Sequence, residues 1–251
     1  MSEILLPDKL YHYCSLKTAI EYILPDKRLL LNPIGSTNDP RENKSFSFAG
    51  RNLSSEFTKL HELNSDVSDE IRKGCKLSCF STDRKNIFGY EYSRMWSLYG
   101  ENHKGVCIEL NRIKFVEENS NKINPDLFKR ITYEDFNARQ PIKHKTVDYL
   151  EVEKLGLPNY VRDVFRPENV DYLFFTKNKE WESENEIRLI YFSDNPDQEY
   201  CTINNSINRV ILGVDFNTSY YPSIANKLDG VQIDRLVYDG NARLLPEKVD
   251  Q

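Results

Sequence analysis

The chain has 251 residues and a formal net charge of -5, with 39% hydrophobic, 12% aromatic and 29% charged residues. The aromatic content is too high for a disordered chain, and the acidic balance disfavours nucleic-acid binding, which needs clustered Lys and Arg. The five cysteines lack metal-site spacing, the start of the chain lacks a signal peptide, and no run reaches the roughly 20 apolar residues of a membrane span, so we expect a cytoplasmic protein without membrane contact.

The first half of the chain predicts short strands and helices in irregular order. A strand over residues 10–14 precedes a helix over residues 16–24, which begins after the N-cap residue Ser15 and ends at Pro25. Further predicted elements are a strand over 28–32, a turn-rich loop over 33–43, a polar helix over 52–72, a strand over 76–81, a helix over 92–99 and an apolar strand over 105–110.

The second half begins with charged segments in which helical periodicity is only fragmentary. The predicted elements that follow are a helix over 169–177, a strand over 184–191, strands over 200–203 and 209–213, a helix over 219–228, a strand over 235–238 and a frayed tail over 246–251. This irregular order predicts a single α+β domain over residues 1–251, with helical insertions near residues 50–74 and 111–176.

The strongest pointer to chemistry is the alternation of charged and apolar residues near residue 186. Because strand side chains point to opposite faces in turn, Glu184, Glu186 and Arg188 are predicted on one face, with apolar residues on the other. Two close carboxylates can take different pKa values, so that one stabilises a developing cation while the other activates a nucleophile. The alternative is an exposed sheet face on which Arg188 pairs with Glu186.

Other candidate residues each have a structural alternative. His12, next to Tyr13 in the first strand, can bind a sugar or phosphate, act as an acid or base, or be structural. Ser81 and Thr82 end a strand and can hold a ribose or cap the next turn. Trp181 can stack on a base or anchor the strand that follows it.

Two predicted loops also carry polar residues. The turn Asn38-Asp39-Pro40, followed by Glu42, is a turn by default but can line a pocket. The basic run from Arg139 to Lys145 is a solvated loop or a phosphate contact.

Six pieces of the sequence form a distinctive combination: Leu10-Tyr-His-Tyr, Asn38-Asp-Pro-x-Glu42, Cys79-Phe-Ser81, Met95-Trp96-x-x-Tyr99, His103-Lys-Gly-Val-Cys-Ile-Glu109 and Lys177-x-x-x-Trp181-x-x-Glu184-x-Glu186-x-Arg188. They extend from residue 10 to about residue 192. In combination they resemble a bacterial family of unknown function, DUF2971, and the predicted strand Val210-Ile-Leu-Gly213 also fits the pattern.

The order of these pieces is also similar to the ADP-ribosyltransferase superfamily. In that superfamily a first strand bears Arg or His, a second strand ends in Ser or Tyr, and a later strand supplies the catalytic Glu. His12, Ser81 and Glu186 match these positions, and Glu184 matches the upstream member of a Glu-x-Glu motif. The resemblance implies a split mixed or antiparallel sheet, NAD as the substrate and no metal.

The same resemblance implies roles for the matched residues. NAD would lose nicotinamide through an oxocarbenium-like state, as in glycoside hydrolysis. Glu186 would hold the ribose hydroxyls and stabilise the positive charge, and Glu184 would orient or deprotonate the acceptor. The expected NAD-binding residues are His12, Tyr13, Ser81, Thr82, Tyr99, Trp181 and Arg188.

The resulting prediction is an NAD-dependent, ADP-ribosyltransferase-like protein of a bacterial toxin or phage-defence system. Its acceptor would be a protein or a nucleic acid, and a protein of the same defence system would be its partner. Two other classes stay open. One is a non-catalytic module that senses a nucleotide or a phage protein. The other is a metal-dependent hydrolase or nuclease that uses Glu184, Glu186 and Asp39, against which Arg188 argues as a positive partner already present.

Overall fold

The computed structural model describes residues 6–44, 46–52, 57–136, 145–241 and 243–249, without the side chains of residues 57–62. Strands and helices alternate irregularly in these residues, and the α+β class is confirmed. The strands are β1 (Lys9–Cys14), β2 (Arg28–Leu30), β3 (Asn32–Pro33), β4 (Ala49–Arg51), β5 (Cys75–Ser81), β6 (Val106–Asn111), β7 (Phe128–Arg130), β8 (Thr132–Glu134), β9 (Thr146–Asp148), β10 (Thr176–Asn178), β11 (Glu186–Phe192), β12 (Tyr200–Thr202), β13 (Ile207–Leu212), β14 (Gln232–Tyr238) and β15 (Leu244–Lys248).

Most helices are short. The α-helices are α1 (Leu16–Thr18), α2 (Pro40–Asn43), α3 (Phe57–Arg72), α4 (Ser93–Leu98), α5 (Arg112–Glu118), α6 (Tyr149–Leu155), α7 (Leu157–Tyr160), α8 (Arg166–Glu168), α9 (Val170–Phe174) and α10 (Tyr221–Ala225). π-Helical turns span Ala19–Ile23 and Val161–Phe165, and 3-10 turns span Ile34–Ser36, Pro125–Leu127, Lys179–Glu184 and Thr218–Tyr220. Across the described ranges, no helix is long and apolar enough to cross a bilayer.

The main sheet is mixed and carries the site. Its strand order is β15-β14-β13-β6-β1-β5-β11-β7, and β3 adds a short pairing with β5. Among the described strands of this sheet, only β13 and β14 run parallel. Both faces are buried, since Ile187 and Leu189 of β11 pack in one core while Ile190 packs in another. Apolar residues therefore occupy both sides of this strand, as in a sheet covered on both faces.

The structure corrects the predicted strand over residues 184–191. Glu184 ends the 3-10 turn, and Asn185 takes a left-handed backbone conformation with φ of 45°. The strand begins only at Glu186. The two carboxylates are therefore not neighbours on one strand face, because a sharp turn separates them.

Other predicted boundaries were also wrong. The loop over 33–43 contains α2, and the helix over 169–177 ends at residue 174, before β10. Residues 246–248 of the expected frayed tail belong to β15, which pairs with β14. The region 111–176 holds β7, β8 and β9 among its helices.

Candidate functional site

A cavity opens where β5 has no neighbouring strand on one edge. β11 pairs with the other edge over its whole length, whereas β1 meets β5 only at Ser81, and β3 meets it at Leu77 and Lys76. Residues 78–80 are left without a strand partner there, among the described residues. A cavity of about 430 Å³ lies at this opening, a volume typical of small-molecule sites.

Two buried carboxylates share one ammonium group at the wall of this cavity. Lys177 Nζ lies 2.9 Å from Glu184 Oε2 and 2.6 Å from Glu186 Oε2. The three side chains are only 7%, 3% and 4% exposed. A buried charge is tolerated when it is paired, and this lysine contacts both acids.

Asn185 explains how both carboxylates reach that lysine. Its left-handed backbone turns the chain between Glu184 and Glu186, and its side chain fixes the turn. Asn185 Nδ2 donates to the carbonyl oxygen of Thr82 at 2.7 Å and to its hydroxyl at 2.8 Å. Asn tolerates this conformation better than most residues because its short polar side chain bonds locally.

Arg188 holds Glu186 from the other side. Its Nε donates to Glu186 Oε1 at 2.7 Å, and its Nη1 donates to Glu42 Oε1 at 2.5 Å. The Arg188 side chain is fully buried and also bonds the carbonyl of Phe174. Arg188 therefore positions a carboxylate as well as lining the cavity.

The two carboxylates have opposite pKa shifts. Burial raises the pKa of Glu186, but the charges of Arg188 and Lys177 outweigh it and bring the pKa to about 2. Burial raises the pKa of Glu184, and there Lys177 does not fully offset it. Glu184 Oε1 also accepts a hydrogen bond from the Tyr99 hydroxyl at 2.9 Å. Such a split suits a pair in which one acid stays ionised and the other exchanges protons.

Seven of the nine predicted site residues line this cavity: His12, Tyr13, Ser81, Tyr99, Glu184, Glu186 and Arg188. Thr82 and Trp181 do not. The Thr82 hydroxyl instead lies 3.2 Å from Arg130 Nη1, in addition to its bond with Asn185. The Trp181 ring lies 5.4 Å from Lys177 Nζ, within cation–π distance, so it flanks the carboxylate site from outside.

His12 enters the cavity from the opposite side of the sheet. Tyr11, Ser81 and Glu186 are in register and share one face, so His12 leaves the other face. Its ring contacts Phe80, and its Nδ1 lies 3.3 Å from the carbonyl of Cys79. Burial lowers the pKa of His12. The imidazole is therefore neutral at pH 7, able to donate or accept one hydrogen bond but not to supply a positive charge.

Several polar atoms in the cavity wall lack a partner. The hydroxyls of Thr37, Ser78 and Ser81 and the Nη2 of Arg188 are buried without a hydrogen bond among the described residues. Unsatisfied buried polar groups are rare and costly, so a cluster of them at a cavity wall indicates groups that a ligand satisfies. This favours a ligand with several hydroxyl or oxygen functions.

Sequence reasoning left Lys177 and Glu42 out of the predicted site. In the sequence, Lys177 only begins the motif that ends at Arg188, and Glu42 only follows a turn that can line a pocket. The available signal was charge balance, because two carboxylates and a guanidinium on a buried segment need further partners. Glu42 is 146 positions from Arg188, and Lys177, only 7 positions from Glu184, reaches it through a fold of the chain that periodicity does not indicate.

The donor set does not fit a carboxylate metal centre. Among the described residues, no group of three His, Cys, Asp or Glu is placed to hold an ion. Lys177 and Arg188 already neutralise the two glutamates, and Asp39 caps α2 by accepting from the Arg41 amide at 2.9 Å. The basic run at 139–144 lies outside the described residues.

A family model described as a protein of unknown function, DUF2971, matches residues 95–189. The matched segment extends from α4 to β11 and includes Tyr99, Lys177 and both carboxylates. It supports the family resemblance seen in the sequence, and the family's description names no activity. No curated protein and no solved structure matches the chain significantly.

Proposed function

We propose that the chain is an ADP-ribosyltransferase-like enzyme that binds NAD in the cavity and cleaves the nicotinamide–ribose bond. The observation that carries the proposal is the pair Glu184 and Glu186, with opposite pKa shifts, bridged by Lys177 at 2.9 and 2.6 Å. Cleavage of this bond develops positive charge on the ribose, as in glycoside hydrolysis. A carboxylate that stays ionised at every physiological pH is suited to stabilise that charge.

Each carboxylate has a separate task in this proposal. Glu186, held ionised by Arg188 and Lys177, faces the oxocarbenium-like ribose and accepts from its hydroxyls. Glu184, whose pKa is raised, takes the proton from the attacking acceptor. Tyr99 orients Glu184 by donating a hydrogen bond to the oxygen that Lys177 does not contact.

The uncharged groups of the wall suit the rest of the nucleotide. Ser81 and Ser78 present unpartnered hydroxyls, and His12 presents a neutral imidazole. The resemblance in the sequence extends the proposal to a cytoplasmic toxin or phage-defence effector, with a protein or nucleic-acid acceptor and a defence-system partner.

The test is release of nicotinamide from NAD by the purified chain and by its Glu186→Gln variant. Glu109→Gln is the matched control, because Glu109 is also buried on this sheet and paired, with Arg209 Nη2 at 2.8 Å, but lies outside the cavity. We expect release by wild type and by E109Q, and a loss of about 100-fold or more in E186Q. Equal release by folded E186Q and wild type excludes the proposal.

One observation favours a second candidate, a module that senses a nucleotide without catalysis. Both oxygens of Glu186 already have a cation partner, at 2.6 and 2.7 Å. In that case NAD or ADP-ribose raises the melting temperature of the chain, and no nicotinamide appears. Thermal stabilisation by NAD together with release of nicotinamide would instead support the enzyme.

A further inference from the structure

A second cavity of about 430 Å³ lies on the far side of the short pairing between β3 and β5. Pro33 and Lys76, which face each other in this pairing, line it, whereas their neighbours Asn32 and Leu77 line the carboxylate cavity. The end of α3, the segment around residues 158–166 and the turn after β11 complete its wall.

The second cavity has an excess of positive charge, whereas the charges that line the carboxylate cavity balance. Five cations and two acids line the second cavity: Arg72, Lys73, Lys76, Arg162 and Arg166, with Glu70 and Asp194. In a chain with a formal net charge of -5, such a local excess of positive charge is unusual. It favours an anionic ligand.

Arg166 forms no ion pair with a carboxylate among the residues that the structure describes. Its Nη2 donates to the carbonyl oxygens of Glu70 and Lys73 at 2.6 and 3.1 Å, and its guanidinium lies 4.6 Å from the Phe192 ring centroid. Its Nε is buried without a partner among the described residues. Burial lowers the pKa of Arg166, since the nearby negative charges do not outweigh the loss of water.

Arg72 is likewise poorly compensated by negative charge. Its Nε donates to the Glu42 carbonyl at 3.2 Å, and its Nη2 donates to the Lys44 carbonyl. Its ion pair is with Asp69, at 3.2 Å, but that carboxylate is 76% exposed and contributes little. Burial lowers the pKa of Arg72 as well.

The remaining cations differ in availability. Lys76 Nζ already donates hydrogen bonds to Glu199 Oε2, at 2.7 Å, and to two backbone carbonyl oxygens. Lys73 and Arg162 are 63% and 61% exposed, and their ion pairs with Glu70 and Asp163 lie at the surface. Such surface pairs are worth little, so an anion with more than one charge can replace them.

We propose that this second cavity binds a phosphate group through Arg72, Arg166, Lys73 and Arg162. Guanidinium groups present planar forks of N–H donors that match the oxygens of phosphate. A phosphate carries more charge and more acceptor oxygens than a single carboxylate, and so it can satisfy two half-buried guanidinium groups together. The proposal is independent of the activity proposed for the carboxylate cavity.

The experiment is calorimetric titration of the chain with sodium phosphate, against sodium chloride at matched ionic strength. The test variant is Lys73→Gln with Arg162→Gln, whose side chains are exposed enough for the fold to survive. The matched control is Lys17→Gln with Arg243→Gln, which removes one lysine and one arginine that are 71% and 68% exposed at other places. Glycerol 3-phosphate serves as a second probe.

We expect one phosphate per chain in wild type and control, and about tenfold weaker binding in K73Q/R162Q. Tighter binding of glycerol 3-phosphate than of phosphate assigns the group to an organic ligand, and equal binding assigns it to free phosphate. No binding beyond chloride, or equal binding in the two double variants, overturns the site. Nicotinamide release is measured separately, so failure of one proposal is distinct from failure of the other.

Discussion

Glu42 and Arg188, 146 positions apart in the sequence, form an ion pair of 2.5 Å between side chains that are 1% and 0% exposed. The pair fastens α2 to β11, the strand that begins with Glu186. The turn at residues 36–38, which lines the cavity, comes just before α2. The geometry of the carboxylate site therefore depends on Glu42, which does not itself line the cavity.

The first prediction concerns this pair. Glu42→Gln leaves the Arg188 guanidinium with one carboxylate instead of two in a dry environment, and we expect a loss of about 3–5 kcal/mol in the free energy of unfolding. Glu151→Gln is the control, because Glu151 is 42% exposed and its ion pair with Lys154, at 3.7 Å, lies at the surface. This substitution should change the free energy of unfolding by less than about 0.5 kcal/mol. Urea denaturation measures both, and equal losses would contradict the prediction.

The second prediction concerns stability in acid. The pKa of Glu186 is about 2 in the fold against an ordinary 4.5, so its contribution is present above pH 4.5 and is lost as the pH falls towards 2. This loss amounts to roughly 3 kcal/mol. Glu184 acts in the opposite direction, since its raised pKa makes its contribution greatest below pH 4.5 and lost as the pH rises through its folded value.

Glu186→Gln removes the ionisable group that causes this loss of stability in acid. The free energy of unfolding of wild type, measured at a series of pH values between 4.5 and 2, should fall more steeply than that of E186Q. Parallel curves for the two proteins would show that Glu186 is not held ionised by Arg188 and Lys177.

The third prediction separates the two roles of Asn185. Asn185→Gly keeps the left-handed backbone accessible but removes the bonds to Thr82, and we expect a loss of about 1–2 kcal/mol. Asn185→Ala removes the same bonds but, unlike glycine, keeps a Cβ in the left-handed conformation. We therefore expect it to be less stable than Asn185→Gly by about 1–2 kcal/mol. Denaturation of both variants tests this, and equal stability of the two would mean that the backbone is not constrained there.

The fourth prediction uses two neighbouring hydroxyls. The Ser81 hydroxyl is buried and unpartnered, so Ser81→Ala should leave stability unchanged or raise it, whereas it should raise the KM for NAD. The Thr82 hydroxyl bonds Asn185 and lies outside the cavity, so Thr82→Ala should cost about 1 kcal/mol and leave the KM unchanged. A raised KM in Thr82→Ala with an unchanged KM in Ser81→Ala would contradict the placement of the ligand in this cavity.

Local periodicity was enough for much of the sheet. The strands predicted over 10–14, 76–81 and 105–110 match β1, β5 and β6 within one residue, because alternating and apolar runs define them without distant information. The predicted start of the strand at Glu184 was wrong because the alternation of apolar and polar residues begins only at Ile187. Tertiary bonds from Asn185 to Thr82 and Asp83 fix the left-handed turn that precedes the strand.

The site depended on contacts that no local pattern contains. Lys177 meets Glu184 because β10 and the 3-10 turn fold back on each other, and Glu42 meets Arg188 across most of the chain. The register of β1 against β5 places the His12 side chain on the face opposite Glu186, and register is fixed by the whole sheet.

Glu42 contacts the walls of both cavities. Its carboxylate binds Arg188 at the first, and its backbone carbonyl accepts from Arg72 at the second. The short helix α2 therefore contacts one lining residue of each cavity, Arg188 and Arg72, without lining either cavity itself. A ligand in one cavity that shifts α2 would change the affinity of the other cavity for its own ligand. By thermodynamic reciprocity, the second ligand would then change the affinity for the first by the same factor.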